Sequence, residues 1–186
     1  MQLLTAVNAI LPKLGERPVT SLESRNPTLG VILPQIDMDI GQILMAGWWF
    51  NTYFNVDLFP NSEGQIDVPD DTLSFVTNAE STPAVQRGEM FYNPTNRSYK
   101  FDGKITGTLR QRLGFEDLPE SAAQVVLYSS LVTCYSTDIG LEQIVQQWMQ
   151  YARAAQAAME QEHLRQRKYS IKQSRRYQNL RRAMRG

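Results

Sequence analysis

The apolar residues of this 186-residue chain change their spacing twice, and this change limits the fold more than any other feature. Before residue 51 and after residue 114 they recur every three or four residues, which is the period of a helix. Across residues 51–114 they alternate with polar residues, which is typical of antiparallel strands with one face in water. The pattern predicts an α+β fold, mainly α: an antiparallel four-helix bundle with a small antiparallel β insertion and a long C-terminal helix.

Two helices are predicted before the β insertion. The apolar face of the first is formed by Leu3, Val7, Ile10 and Leu14. Gly15 is predicted to end it. The second is predicted to begin at Asn26 and Pro27, an N-cap residue followed by a proline that suits the first helical position. Pro34 lies within the apolar stripe of that helix and is expected to bend it.

The β insertion is predicted to contain about five strands. The alternation is most regular across residues 105–113. Residues 93–96, Asn-Pro-Thr-Asn, are typical of a hairpin turn. Ile66 and Val68 predict a further strand.

Two more helices are predicted after the insertion. Pro119 opens the third, and the polar residues 136–138 are predicted to end it and to cap the fourth. The fourth has a heptad-like apolar stripe of Leu141, Val145, Trp148, Ala152, Ala155 and Met159. The stripe ends at Met159, whereas residues 160–168 are mostly good helix formers. This helix is therefore expected to extend beyond its own core and to carry the tail clear of the bundle.

The net charge of the chain is zero, yet its charges are divided between its two ends. Residues 1–162 hold all 19 acidic residues and ten of the 19 Lys and Arg, a formal charge of −9. Residues 163–186 hold the other nine basic residues and no acid, a formal charge of +9. Such an asymmetry is typical of an interaction tail. We predict a helical bundle of residues 1–50 and 115–162, an inserted β unit of residues 51–114, and a basic C-terminal docking arm of residues 163–186.

The composition argues against several classes of protein. A single cysteine, Cys134, excludes an internal disulfide framework and a multi-cysteine metal site, and a single histidine, His163, excludes a histidine-based metal site. No apolar stretch approaches the roughly 18–20 residues that a membrane helix needs, and no secretory signal is visible. We expect no cofactor, no metal and no membrane partner, and we expect His163 to be solvated.

Three acidic pairs are the candidates for acid–base catalysis. They are Asp37 and Asp39, Asp70 and Asp71, and Glu116 and Asp117. Helix capping and solvation account for all of them, and the pair on the second helix is predicted to face away from its apolar stripe. Cys134 lies on the apolar stripe of the third helix and is predicted to be a small buried residue. Since phosphate-binding and hydrolase motifs are also missing, no enzyme is predicted.

Three sequence motifs together resemble a known family. They are AVNAIL followed by LGERPVTSLE in residues 6–23, GWWFN in residues 47–51, and the segment from Arg112 to Pro119. The chain resembles the tail tubular protein A family, the head-to-tail adaptors of short-tailed bacteriophages (podoviruses), over residues 4–160. Large paired tryptophans are more often core residues than ligand platforms, so Trp48 and Trp49 are expected to fix the β unit to the bundle.

The resemblance implies a structural virion protein of the phage tail that is assembled in the host cytoplasm. Members of that family form a ring, a dodecamer, beneath the portal protein, and the tail nozzle, tail tubular protein B, docks below it. Genomic DNA passes through the lumen without specific recognition. The resemblance therefore implies an adaptor that joins the portal to the nozzle and forms part of the DNA ejection channel.

The basic arm has two candidate partners. Aromatic and aliphatic residues between its cations suit a docking segment, and in the family the C-terminal segment reaches into the portal. The predicted portal-docking residues are Arg165, Arg167, Lys168, Tyr169, Lys172, Arg175, Arg176, Tyr177, Leu180, Arg181 and Arg182. A segment with nine cations and no acid also suits phosphate neutralisation, so a DNA-binding module is the alternative. A tail-borne glycan hydrolase that uses an Asp/Glu pair is a third hypothesis.

Overall fold

The order of helices and strands follows the two changes in apolar spacing. The computed structural model describes residues 1–140 and 142–167. The fold is mixed α/β, with four helices and two small antiparallel sheets in the described residues. The helices are α1 (Leu3–Ile10), α2 (Leu29–Met45), α3 (Glu120–Asp138) and α4 (Gln143–Gln166). The strands are β1 (Thr52–Leu58), β2 (Thr72–Thr77), β3 (Val85–Arg87), β4 (Met90–Tyr92) and β5 (Ile105–Gln111).

The β unit is organised around β5, which lies between β1 and β2 in a three-stranded sheet. The alternation predicted for β5 is confirmed, since Ile105, Gly107 and Leu109 are buried and the residues between them are not. Strands β3 and β4 form a separate hairpin, and the predicted turn after β4 is confirmed by the backbone pairing of Asn93 with Ser98.

The strand predicted at Ile66 and Val68 is wrong. That segment makes only isolated bridges, at Gln65 and Asp67. Its alternation comes from a loop whose Ile66 side chain points into the core of the β unit.

Helix α3 lies between α2 and α4. Ser130 donates to Asp39 of α2 at 2.6 Å. On the opposite side of α3, the Tyr135 ring packs on Trp148 of α4, with centroids 4.9 Å apart, and Ser121 donates to Glu162 at 2.7 Å. The order of these contacts along the two helices makes α4 antiparallel to α3. We call α2, α3 and α4 the helical layer.

The antiparallel four-helix bundle is not confirmed in this arrangement. Helix α1 has eight residues and packs against α2 and α3, so it caps the layer. Buried apolar residues of all four helices still form one core, and the β unit has a second core around Phe75 and Phe91.

Two helix boundaries differ from those predicted. Helix α2 begins at Leu29 because the Asn26 side chain accepts a hydrogen bond from the Thr28 amide at 2.8 Å and forms a turn before the helix. Residues 136–138 remain helical, and the chain turns instead at Gly140, whose φ of +112° suits glycine. Gly15, with φ +79°, ends a 3₁₀ turn of residues 11–14 that follows α1, as predicted. Pro119 directly precedes α3, also as predicted.

Candidate partner-docking site

The GWWFN motif joins the helical layer to the β unit through a buried asparagine. Asn51 is fully buried, and its side-chain amide donates to the carbonyls of Leu44 at 3.0 Å and Gln111 at 3.1 Å. Its side-chain oxygen accepts from the Trp48 amide at 2.8 Å. One side chain therefore satisfies backbone groups from the end of α2, from the turn and from β5.

Two arginines of β5 and the segment after it reach from the β unit to α2. Arg110 donates to the Met45 carbonyl at 2.8 Å, and Arg112 contacts the Asp37 carboxylate at 2.6 Å. Gly47 has φ +80°, and a Cβ at that position would lie 2.5 Å from Nε of Arg110. The glycine of the motif is therefore needed both for the turn and for the approach of the arginine.

The first motif is also held by an asparagine. Asn8 of α1 donates to the Val19 carbonyl and accepts from the Val19 amide, both at 2.9 Å. This paired contact fastens the segment between α1 and α2 back onto α1. The asparagines of both motifs thus bind backbone groups.

The first residues of the basic arm pack on the GWWFN motif. The His163 ring lies 5.3 Å from that of Trp48 and 5.9 Å from that of Trp49. Both tryptophans are half-buried and pack against the helical core, as expected, and Nε1 of Trp48 donates to the Ile43 carbonyl at 2.7 Å. Burial, and then the charge of Arg167, lower the pKa of His163. The prediction that His163 is solvated is therefore wrong.

The prediction that α4 carries the arm clear of the bundle is not confirmed for its described residues 163–167. The last turn of α4 lies against the β unit, where the Arg167 guanidinium stands 5.1 Å from the centroid of the Phe54 ring of β1. Arg165, in that last turn, is exposed. The sequence did not reveal the contacts of residues 163–167. The apolar stripe of α4 stops at Met159, and the contacts beyond it are made by a histidine and an arginine.

The remaining predicted docking residues lie outside the described residues, as does Leu141. They are Lys168, Tyr169, Lys172, Arg175, Arg176, Tyr177, Leu180, Arg181 and Arg182. The site that the structure describes is therefore the root of the arm, which we define as residues 163–167.

One member of the acidic pairs lies in a place that was not predicted. Asp39 was expected to face away from the apolar stripe, but it is buried against α3, where Ser130 and Gln35 donate to its carboxylate. Cys134 is buried as predicted, and burial together with Asp39 raises the pKa of its thiol to about 11. A thiol with that pKa is protonated at neutral pH and is a poor nucleophile.

Residues 1–140 and 142–167 contain no cluster of three or more residues with metal-ligand side chains. None of their helices combines the length and the apolar character needed to cross a membrane.

A comparison with known protein families places the chain among phage tail proteins. The family model described as "Tail tubular protein" matches residues 4–169, most of the chain. The chain belongs to the tail tubular protein family.

A curated relative supports this membership. The chain is similar to tail tubular protein A of Klebsiella phage KP34, with 29% identity over 184 residues that cover 98% of each chain. Membership of the tail tubular protein family makes this chain a structural protein of a phage tail and a virion component. The match includes the motifs built around Asn8 and Asn51 and extends into the root of the arm.

Proposed function

We propose that this chain is the head-to-tail adaptor of a short-tailed phage. Copies assemble in the host cytoplasm into a ring, a dodecamer, that joins the portal to the tail nozzle, and DNA passes through its lumen without sequence recognition. The observation that carries the proposal is the match to the tail tubular protein family over residues 4–169. The role is structural, with no catalytic step.

The basic arm is the part that docks on the portal. Its charge of +9 with no acid attracts an acidic partner surface, and its tyrosines and leucines supply apolar anchors. The contact of His163 with Trp48 supports this division of labour, because it gives the arm a fixed point of departure beside the β unit. In this division, residues 1–50 and 115–162 are the helical body and residues 51–114 are the inserted β unit.

Two truncations test the docking role. The chain 1–167 keeps the root of the arm, whereas 1–162 also loses the His163 contacts with Trp48 and Trp49. We expect 1–167 to melt close to the full chain but not to attach to portal-bearing heads, measured by co-sedimentation. We expect 1–162 to melt lower. Attachment of 1–167 at the level of the full chain would contradict the docking role.

The nine cations of the arm also favour a second candidate, a DNA-binding module. Phosphate neutralisation predicts DNA affinity that falls steeply with salt. Two results together would favour that function. The DNA affinity of the full chain would fall with salt by a slope of several counterions, and the full chain would fail to attach to portal-bearing heads at any salt concentration.

A further inference from the structure

The outer face of α2 is apolar and exposed to solvent. Val31, Met38 and Met45 recur every seven residues along it and are 56, 59 and 50% exposed. The helical period places them on the side opposite the buried Ile36 and Ile40. An exposed apolar stripe with this repeat is typical of a helix that packs against a second helix.

The outer face of α4 carries no acidic residue and is differently shaped. Among the described residues of α4, those on the side away from α3 are exposed: Gln143, Gln146, Gln147, Gln150, Arg153, Ala154, Ala157, Gln161, Leu164 and Arg165. A solvated helix face normally carries charges of both signs. The small side chains of Ala154 and Ala157 leave space for a neighbouring helix to approach closely.

The two faces belong to helices at opposite edges of the helical layer, because α3 separates α2 from α4. A contact between two different faces of identical subunits is head-to-tail, and it closes into a ring when the rotation between copies allows. An isologous contact through one face alone would stop at a dimer.

Charge selects a second copy as the occupant of both faces. Residues 1–162 carry a formal charge of −9, so two copies repel each other across most of their surfaces. Because neither face carries an acidic residue, a contact between them brings no two carboxylates together. The side chains are also complementary in size, since Val31, Met38 and Met45 are large and Ala154 and Ala157 are small.

We infer that the outer face of α2 in one copy packs against the outer face of α4 in the next copy. The inference rests on the proposed ring and names its subunit interface. Beyond its root, the arm plays no part in this contact.

Charge substitutions on the two faces test the interface by sedimentation velocity of the full chain over a concentration series. We expect the wild type to assemble, and Met38→Glu and Ala157→Glu each to remain monomeric. An equal mixture of the two variants is expected to form dimers and nothing larger, because each variant keeps one intact face. Both positions are exposed, so melting temperatures should stay close to that of the wild type.

The matched control is Val76→Glu on β2, which is 63% exposed and lies on neither face. We expect this variant to assemble as the wild type does. A wild type that stays monomeric at every concentration would overturn the inference, as would Met38→Glu or Ala157→Glu assembling normally. Dimers of Ala157→Glu alone would also overturn it, since they would indicate contact between two α2 faces.

Failure of this interface and failure of the docking arm give different results. The chain 1–167 keeps both faces and should assemble without attaching to portal-bearing heads. If 1–167 attaches while Met38→Glu blocks assembly, the docking role is wrong and the interface stands. If 1–167 does not attach while Met38→Glu assembles normally, the docking role stands and the interface is wrong.

Discussion

The helical layer and the β unit are stabilised in different ways. The helices share one continuous apolar core that includes Trp148 and Met159. The β unit has its own smaller core, and side-chain hydrogen bonds from Asn51 and Arg110 attach it to the end of α2. Apolar burial is nondirectional, whereas hydrogen bonds fix geometry. Because the helical core is the larger of the two, the helices supply most of the stability. The hydrogen bonds of the junction determine how the β unit sits on them.

Trp148→Ala should have the largest effect on stability, because it removes a large side chain from the helical core. Trp148 is only 7% exposed and stacks edge-on against Tyr135. We expect a loss of about 3–5 kcal/mol in the free energy of unfolding, measured with denaturant. The control Tyr151→Ala, on the same helix but 45% exposed, should cost about 1 kcal/mol or less. An equally small loss in both variants would mean that Trp148 is not a core residue.

Asn51→Ala tests the junction. In a buried place, the change removes the acceptor of the Trp48 amide and the Asn51 donor to the Leu44 and Gln111 carbonyls, of which Leu44 keeps the Gly47 amide at 3.1 Å. We expect a loss of about 2–4 kcal/mol in the free energy of unfolding. Asn96, whose hydrogen bonds are exposed, is the matched control, and Asn96→Ala should cost less than about 1 kcal/mol. A similar small loss at both positions would show that the junction does not depend on Asn51.

Asn8→Ala should loosen one segment of the helical layer. It removes both contacts with the Val19 backbone, and we expect a loss of about 1–2 kcal/mol. Trypsin should then cut faster at Arg25, within the segment that Asn8 fastens. Asn8→Asp keeps the acceptor for the Val19 amide but loses the donor, so its effect should be intermediate. Unchanged cleavage in Asn8→Ala would contradict this role.

Of the residues tested, His163 should make the smallest contribution to stability, and that contribution should depend on pH. Because the pKa of folded His163 is lowered below its ordinary 6.5, the unfolded chain takes up the proton at a higher pH. Stability is therefore fully present above pH 6.5 and decreases as the pH falls through the lowered pKa. His163→Asn should remove this dependence, measured by thermal unfolding between pH 5 and pH 8. An identical pH profile in the variant would show that His163 does not titrate in contact with Trp48 and Trp49.

The sequence was most informative where apolar spacing decides the structure. The period predicted four helices, the β insertion and the alternation of β5, and the motifs predicted the family. The buried Asp39 and Asn51 were not predicted, because a polar residue reveals its burial only through partners such as Ser130 and Gln111 that lie far away in sequence. The contact of His163 with Trp48 was missed for the same reason.

Electron microscopy of the purified chain mixed with portal-bearing heads that lack it tests the adaptor role most directly. The account predicts a ring of added density on the outer side of the portal, aligned with its channel, in the sample with the full chain. The same mixture made with the chain 1–167 should show bare portals. Heads that remain bare with the full chain, or rings that form on the portals equally well with 1–167, would contradict the account.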